Sequence, residues 1–395
     1  MNLRPLFFKH LAQTSPSPLA LEITKAKGVY LYDKDGKEII DLISGISVAN
    51  IGHGHPHIIE AVKQQAEQYL QLMVYGEFIQ KPQVLLAEKL CSFLPETLNS
   101  VYFVNSGSEA VEGALKLARR YTEKSEFIAC EKAYHGCTMG AMSVMGSPDF
   151  KKNFGSLIED VQFIRHGNVE DLTKITSKTA AVIIEPVQGE AGIRTAENSY
   201  WQALRQRCTE TGTLLIFDEI QTGMGRTGKL FAFEHADITP DILLLAKAFG
   251  GGMPLGAFIT SQEIMHVLTH NPVLGHITTF GGHPVSCAAA LANMNIITES
   301  KLWLETEEKS QRFENLLSKH QSVAEIRHQG LMIAVELNDS EKVQKLISEA
   351  LKNGVLTDWF LFCDTAFRIA PPLTISLQEI EKACGILRNC LDKLL

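Results

Sequence analysis

Short apolar runs alternate with amphipathic helical ones through the middle of the chain. The stretches "SVYFVN" (100–105), "EFIAC" (126–130), "AAVIIEP" (180–186), "TLLIFDE" (213–219), "ILLLAK" (242–247) and "GAFIT" (256–260) predict strands. The period-3.6 stretches "SEAVEGALKLARRY" (108–121), "SYWQALRQRCTETG" (199–212) and "PVSCAAALANMNIITES" (284–300) predict helices, the last with proline at its start. Near-continuous apolar strands are buried on both faces, so the alternation predicts an α/β fold with a mainly parallel sheet covered on both sides. The flanks differ. "GVYLYDKDGKEIIDL" (28–42) alternates around a Lys-Asp-Gly turn, the pattern of an antiparallel hairpin. After about residue 300 the pattern predicts helices at 302–319 and 340–353, short strands near 323–336 and a final helix near 377–394. The expected organisation is a large domain over 51–300 and a smaller α+β domain built from 1–50 and 301–395.

Composition narrows the classes. The 395 residues are 45% hydrophobic and 21% charged, ordinary for a globular chain. The net charge of −8, from 37 basic and 45 acidic residues without a like-charged block, argues against a nucleic-acid binder. No run of eighteen apolar residues suggests a membrane span, and "MNLRPLFFKHLAQTSPSP" lacks the apolar core of a signal peptide. The eight cysteines form no C-x-x-C pair and mostly sit in apolar context, which predicts reduced core thiols and a cytoplasmic protein.

Chemistry concentrates at strand ends. In "VNSGSEAVEGALKLA" a strand gives way to a helix at Ser106-Gly107-Ser108, where free backbone N–H groups and the helix dipole suit an anion. Ser106 and Glu109 also have the spacing of an ordinary capping box. In "LLIFDEIQTGMGRTG" Asp218 and Glu219 end an apolar strand, where open α/β sheets keep their ligands. Its G-x-G-x-x-G at Gly223, Gly225 and Gly228 neither follows the strand directly nor opens a helix, so it does not read as a dinucleotide fingerprint. In "DILLLAKAFGGGMPLGA" Lys247 ends a buried strand and three glycines follow it. An anion cradle, a buried acid and a lone lysine are together what pyridoxal 5'-phosphate requires. The acid keeps the pyridine nitrogen protonated, a desolvated lysine forms a Schiff base, and the glycines leave room. Tyr134 in "EKAYHGCTMGA" could stack on the ring or be a core tyrosine, and Thr278 and Thr279 before a double glycine suit a phosphate. The three alternate histidines of "GHGHPH" (52–57) read as a turn rather than a metal site.

With these motifs stand "EPVQGEAG", "FDEIQTGMGRTGKLFAFEH", "TTFGGHPVSCAAAL" and "FRIAPPLT". Together they resemble the class III, fold-type-I pyridoxal-phosphate aminotransferases, and among them the acetylornithine, ornithine and putrescine enzymes. The resemblance runs from "GVYLYDKDG" to "FRIAPPLT". It implies a seven-stranded sheet, a homodimer with shared active sites and 2-oxoglutarate as acceptor. It also implies roles. Lys247 is similar to the Schiff-base lysine, Asp218 to the partner of the pyridine nitrogen, and Gln221 to the neighbour of the ring hydroxyl. Gly107 and Ser108 match the phosphate cradle, and Tyr134 stands where the family usually stacks a phenylalanine. Thr279 matches a phosphate ligand from the other subunit. Arg368 matches the arginine for the 2-oxoglutarate carboxylate, and Glu190 the acid that neutralises it when the substrate has no carboxylate there. Cys137 replaces a second carboxylate-binding arginine, as in putrescine aminotransferases, and Ile46 replaces a tyrosine of the δ-ornithine enzymes. The donor so implied is a terminal amine, putrescine-like or acetylornithine. The rival readings are a racemase or decarboxylase of the same fold, a non-catalytic pyridoxal-phosphate-binding protein and, weakest, a dehydrogenase. The paired Arg368 and Glu190 speak for two substrates and hence a transaminase.

Overall fold

The structure is a computed structural model and describes residues 3–395. After a short helix, Arg4–His10, come three antiparallel strands, β1 (Ile23–Lys27), β2 (Tyr30–Asp33) and β3 (Glu38–Asp41), the last two forming the expected hairpin. Seven strands follow: β4 (Ser100–Val104), β5 (Glu126–Cys130), β6 (Val161–Ile164), β7 (Thr179–Ile184), β8 (Leu214–Asp218), β9 (Ile242–Leu245) and β10 (Gly256–Thr260). They make one sheet in the order β4-β10-β9-β8-β7-β5-β6. Only β10 is antiparallel to its neighbours; the other adjacent pairs are parallel.

Burial on both faces explains why these strands show no alternation. Val182, Ile184, Leu215, Phe217, Leu243 and Leu245 enter one core cluster, with Trp201, Leu204, Ala290 and Met294 of helices Asn198–Thr211 and Pro284–Ser300. The intervening Ala181, Ile183, Leu214, Ile216, Ile242 and Leu244 enter another, with Val111, Ala114 and Leu115 of helix Gly107–Thr122. Each large apolar side chain so buried contributes about 1.5–3 kcal/mol. The C-terminal ends of β7, β8 and β9 are therefore fixed side by side.

The remaining strands are β11 (Glu325–Gln329), β12 (Met332–Glu336), β13 (Val355–Leu356), β14 (Trp359–Phe360) and β15 (Cys363–Ile369). Four of them form a sheet in the order β11-β12-β15-β14, while β13 joins the N-terminal sheet parallel to β3. A third cluster mixes Val29, Ile40 and Leu42 with Phe313, Ile333, Phe367 and Leu387, so the two chain ends share a core.

The expected helix at 302–319 divides into a 3₁₀ turn, Leu302–Glu305, and a helix, Thr306–Leu317. The G-x-G-x-x-G segment is a turn that serves as a junction. Between Gly225 and Gly228, both at positive φ, Arg226 is fully buried. It donates to Leu331 O at 3.1 Å, Pro371 O at 2.5 Å and Ser44 Oγ at 3.3 Å, and to Asn50 Oδ1. Burial lowers its pKa to about 9, with Asp41 opposing. Just before Asn50, Ser44, Gly45, Ile46 and Ser47 all take left-handed φ values of 44 to 66°. For a β-branched residue such as Ile46 this is strained backbone. Among the described residues no helix is long and apolar enough to cross a membrane.

Candidate active site

The strand ends surround a cavity of about 450 Å³, within the usual range for a small-molecule site. After β9, Ala246 is still extended and Lys247 turns to φ 48°. Phe249 N–H donates to Ala246 O at 2.9 Å, and Asn293 Nδ2 of helix Pro284–Ser300 donates to Ala248 O at 2.8 Å, which fixes the turn. Lys247 is half-buried in the cavity wall. Its Nζ makes no hydrogen bond or ion pair with the described residues. Desolvation lowers its pKa; Glu190 and Asp218 pull the other way, and Arg368 adds to the lowering. The glycines after it do not all clear space. A Cβ on Gly251 would stand 2.9 Å from Ala289 O, Gly250 packs against Leu255, and only Gly252 has nothing within 4 Å.

Asp218 closes β8 in the same cavity. Its Oδ2 lies 2.7 Å from His135 Nδ1, and its Oδ1 accepts the Ile220 N–H at 3.0 Å. The next acid points away, as strand alternation requires. Glu219 accepts the N–H groups of Ala232 and Phe233 at 2.6 and 2.7 Å, and burial pushes it up to about 8. Glu185 follows β7. Its two oxygens accept the N–H groups of Tyr134 at 3.1 Å and Gly189 at 3.0 Å. Burial pushes it up to about 7, with Asp218 adding and His135 opposing.

Ser106 caps the helix that follows β4, accepting the Glu109 N–H at 3.2 Å, and Glu109 Oε2 accepts from Asn105 N and Nδ2, both at 2.8 Å. Gly107 and Ser108 then line the cavity at the first turn of a 16-residue helix, whose leading N–H groups have no intrahelical partner. Gly136, at φ 124°, lies so close that a Cβ would stand 2.2 Å from Ser108 Oγ. Beside it Tyr134 is half-buried, its hydroxyl 3.2 Å from Cys137 Sγ, and burial raises its pKa. Gln221 is buried against Gly189, where a Cβ would stand 1.7 Å from Gln221 Oε1.

The far wall holds a gate. Glu190 lines the cavity and accepts from Arg368 Nη2 with both oxygens, at 2.9 and 2.8 Å. The Leu361 N–H adds a third contact to Glu190 at 3.1 Å. Arg368 is 2% exposed, Nε lies 3.1 Å from Asp358 Oδ1, and the guanidinium stands 4.6 Å from the Phe360 ring centre. Burial works against this charge, but Glu190 and Asp358 outweigh it and raise the Arg368 pKa. Burial likewise works against the Glu190 carboxylate, yet Arg368 holds it below its ordinary value.

Of the residues named from the sequence, Gly107, Ser108, Tyr134, Asp218, Gln221, Lys247 and Glu190 line one cavity. Arg368 stands directly behind Glu190. Thr278, Thr279 and Cys137 do not line it in this chain. Thr278 Oγ1 accepts from Asn105 Nδ2 at 3.3 Å, and Thr279 is exposed. Sequence reasoning missed His135, Glu185 and Asp358. Glu185 carries the same signal as Asp218, a charge ending an apolar strand. His135 stands before a glycine, and no signal separates Asp358 from a surface acid.

A family model described as aminotransferase class-III matches residues 11–391. An acetylornithine aminotransferase of Methanopyrus kandleri is 41% identical over 396 residues, 99% of each chain. Among solved structures, an acetylornithine aminotransferase from Elizabethkingia anophelis is 31% identical with a TM-score of 0.86, covering 98% of each chain. The ornithine aminotransferase from Toxoplasma gondii, with partial occupancy of PLP at its active site, has a TM-score of 0.90 at 29% identity, covering 98% of this chain and 93% of that one.

Proposed function

We propose, from the premise that this chain belongs to the class-III aminotransferase family, that it moves the terminal amino group of an amine to 2-oxoglutarate. It is a pyridoxal-phosphate-dependent transaminase. The cavity fits that cofactor. A lysine without a partner among the described residues shares it with a buried acid, Gly252 leaves open space, and a helix N-terminus offers free N–H groups. When bound, pyridoxal phosphate supplies an aldehyde for the amine and a ring that stabilises a carbanion.

The residues then have distinct tasks. Gly107 and Ser108 receive the phosphate at the helix N-terminus. Asp218, oriented by His135 and the Ile220 N–H, holds the proton on the ring nitrogen. Tyr134 would cover a ring face and Gln221 would meet the ring hydroxyl, both from the cavity wall. Lys247, its charged form disfavoured by desolvation, binds the cofactor. Its amino group, in the cavity wall, would move a proton at the donor's reacting carbon. Arg368 receives the acceptor's carboxylate once Glu190 turns aside.

The observation that carries the reading is that Glu190 lines the Lys247 cavity while tied to buried Arg368. A wall that can offer either a paired or a free guanidinium suits two unlike substrates. On the donor side, Cys137 in place of a basic residue supports a donor without a carboxylate, such as putrescine. The resemblance to acetylornithine aminotransferases supports the second reading, acetylornithine. Residues 51–300 we take as the cofactor domain, with 1–50 and 301–395 as the small one; the core shared by the two chain ends supports this. A homodimer is inferred too, with Thr279 reaching the partner's phosphate. The exposed apolar side chains of Phe78, Ile79, Ile277 and Phe280, with Ile79 95% exposed, support it. A cytoplasmic location agrees with eight free cysteines.

The test is Arg368→Ala in separate half-reactions. Loss of a desolvated carboxylate pair costs about 2–4 kcal/mol, so KM for 2-oxoglutarate should rise roughly 30-fold to several hundred-fold. The half-reaction with putrescine should change far less. An equal loss in both would overturn the assignment of Arg368. If wild type converts acetylornithine much faster than putrescine and Cys137→Arg changes neither, the donor is acetylornithine.

A further inference from the structure

The gate arginine has more acid around it than it can neutralise. Arg368 spends Nη2 on Glu190 and on Trp359 O, at 3.3 Å, and its Nε faces Asp358. The contact with Asp358 is a charge contact rather than an aligned hydrogen bond, and Nη1 is buried without a partner. One cation therefore meets two carboxylates, which leaves an excess of one negative charge. Among the described residues nothing behind the gate cancels it. Asp41 stands close enough to Asp358 to be felt, but it has His53 at 2.8 Å and Arg226 nearby as its own partners. Burial pushes Asp358 up to about 6, with Arg368 opposing, so at neutral pH it is mostly charged. The cavity feels the gate, since Glu190 is part of its wall and Lys247 responds to both Glu190 and Arg368.

We infer that Asp358 is a specificity-determining residue: it makes the closed gate anionic, so that the far end of the donor pocket favours a second cationic group. The donor class is then an amine with a distal ammonium, a diamine rather than an uncharged alkylamine. The inference rests on the transaminase reading above and narrows it. Asp358 also separates the two substrates. A donor that leaves the gate closed meets the full anionic excess. An acceptor carboxylate only replaces Glu190 on Arg368, one carboxylate for another, so Asp358 opposes both equally.

The experiment compares 1,4-diaminobutane with 1-aminobutane in single-turnover half-reactions of wild type, Asp358→Asn and Asp358→Glu holoenzyme. Wild type should prefer the diamine. In Asp358→Asn the diamine-to-monoamine ratio of kcat/KM should fall about tenfold, the size expected of one charge acting across a partly buried site. Asp358→Glu should keep the ratio. KM for 2-oxoglutarate should move less than the ratio does. A role confined to holding Arg368 in place predicts the reverse, a raised KM for 2-oxoglutarate with the ratio intact, and that result would overturn the inference. Calorimetric binding of butyltrimethylammonium, which cannot react, should weaken in Asp358→Asn by a similar factor; unchanged binding tells against the charge. If Asp358→Asn does not fold, wild type decides: no preference for the diamine sinks the inference. Conversion of neither amine would instead sink the amine-donor reading itself.

Discussion

At one end of the cavity Asp218 and Glu185 are held largely by backbone N–H groups, from Ile220, Tyr134 and Gly189, with His135 as the one side-chain partner among the described residues. At the other end Glu190, Asp358 and Arg368 hold one another mainly through side-chain charges. Backbone donors in the loops that follow the strands are part of the main chain and cannot leave. A carboxylate on a guanidinium can be exchanged for another carboxylate of the same geometry. Charge that must stay constant during the reaction is thus anchored to the main chain, and charge that must differ between substrates is carried by side chains.

The sharpest test of the fixed end is Lys247→Ala. Turnover should fall to background while the phosphate cradle still binds cofactor, seen as retained absorbance of free pyridoxal phosphate after gel filtration. Borohydride should attach the cofactor to Lys247 in wild type and to no residue in the variant. Labelling elsewhere, or substantial turnover, would move the reacting group off β9. Asp218→Ala comes next. Losing a buried charge-assisted pair costs about 2–5 kcal/mol, so turnover should drop roughly 30-fold or more with either donor or acceptor varied. A loss confined to one half-reaction would blur the contrast between the ends.

The smallest effect concerns Glu185. Its folded value of about 7 stands above its ordinary 4.5. Between those values the folded protein keeps a proton that the unfolded chain has lost. The stability this gives is fully present below about 4.5 and is lost as the pH rises through 7. Glu185→Gln cannot lose it. In cofactor-saturated protein, the stability deficit of the variant should narrow by about 1–3 kcal/mol between pH 5 and pH 8.5 in denaturant titrations. A constant deficit would show that Glu185 keeps one protonation state throughout.

The fixed end was the legible one. Strands buried on both faces are nearly unbroken apolar runs, so a charge at their ends stands out, as Asp218 and Lys247 do. Glu185, after β7, carries the same mark. The gate was less legible because β13, β14 and β15 lie in "VLTDWFLFCDTAFRI", which is apolar without a clear period. Arg368 and Glu190 were found only through resemblance, and Asp358 acquires its meaning only when β15 folds beside β14. The glycines after Lys247 do not all serve to leave room, since Gly251 is needed for packing against Ala289 and Asn293. The strand β6 is short and half-exposed, with no pattern to mark it.

The junction at Arg226 has a consequence for how the protein is made. Its acceptors come from Ser44 and Asn50, already synthesised, and from Leu331 and Pro371, which are not. A nascent chain that has just produced the seven-stranded sheet therefore carries a cation destined for full burial with half its acceptors still to be translated. It also lacks the wall that Arg368 and Asp358 will supply. Domains generally fold as they emerge, but this one cannot finish until its last few dozen residues leave the ribosome. The lysine is thus synthesised before the arginine and the acid that sort its substrates.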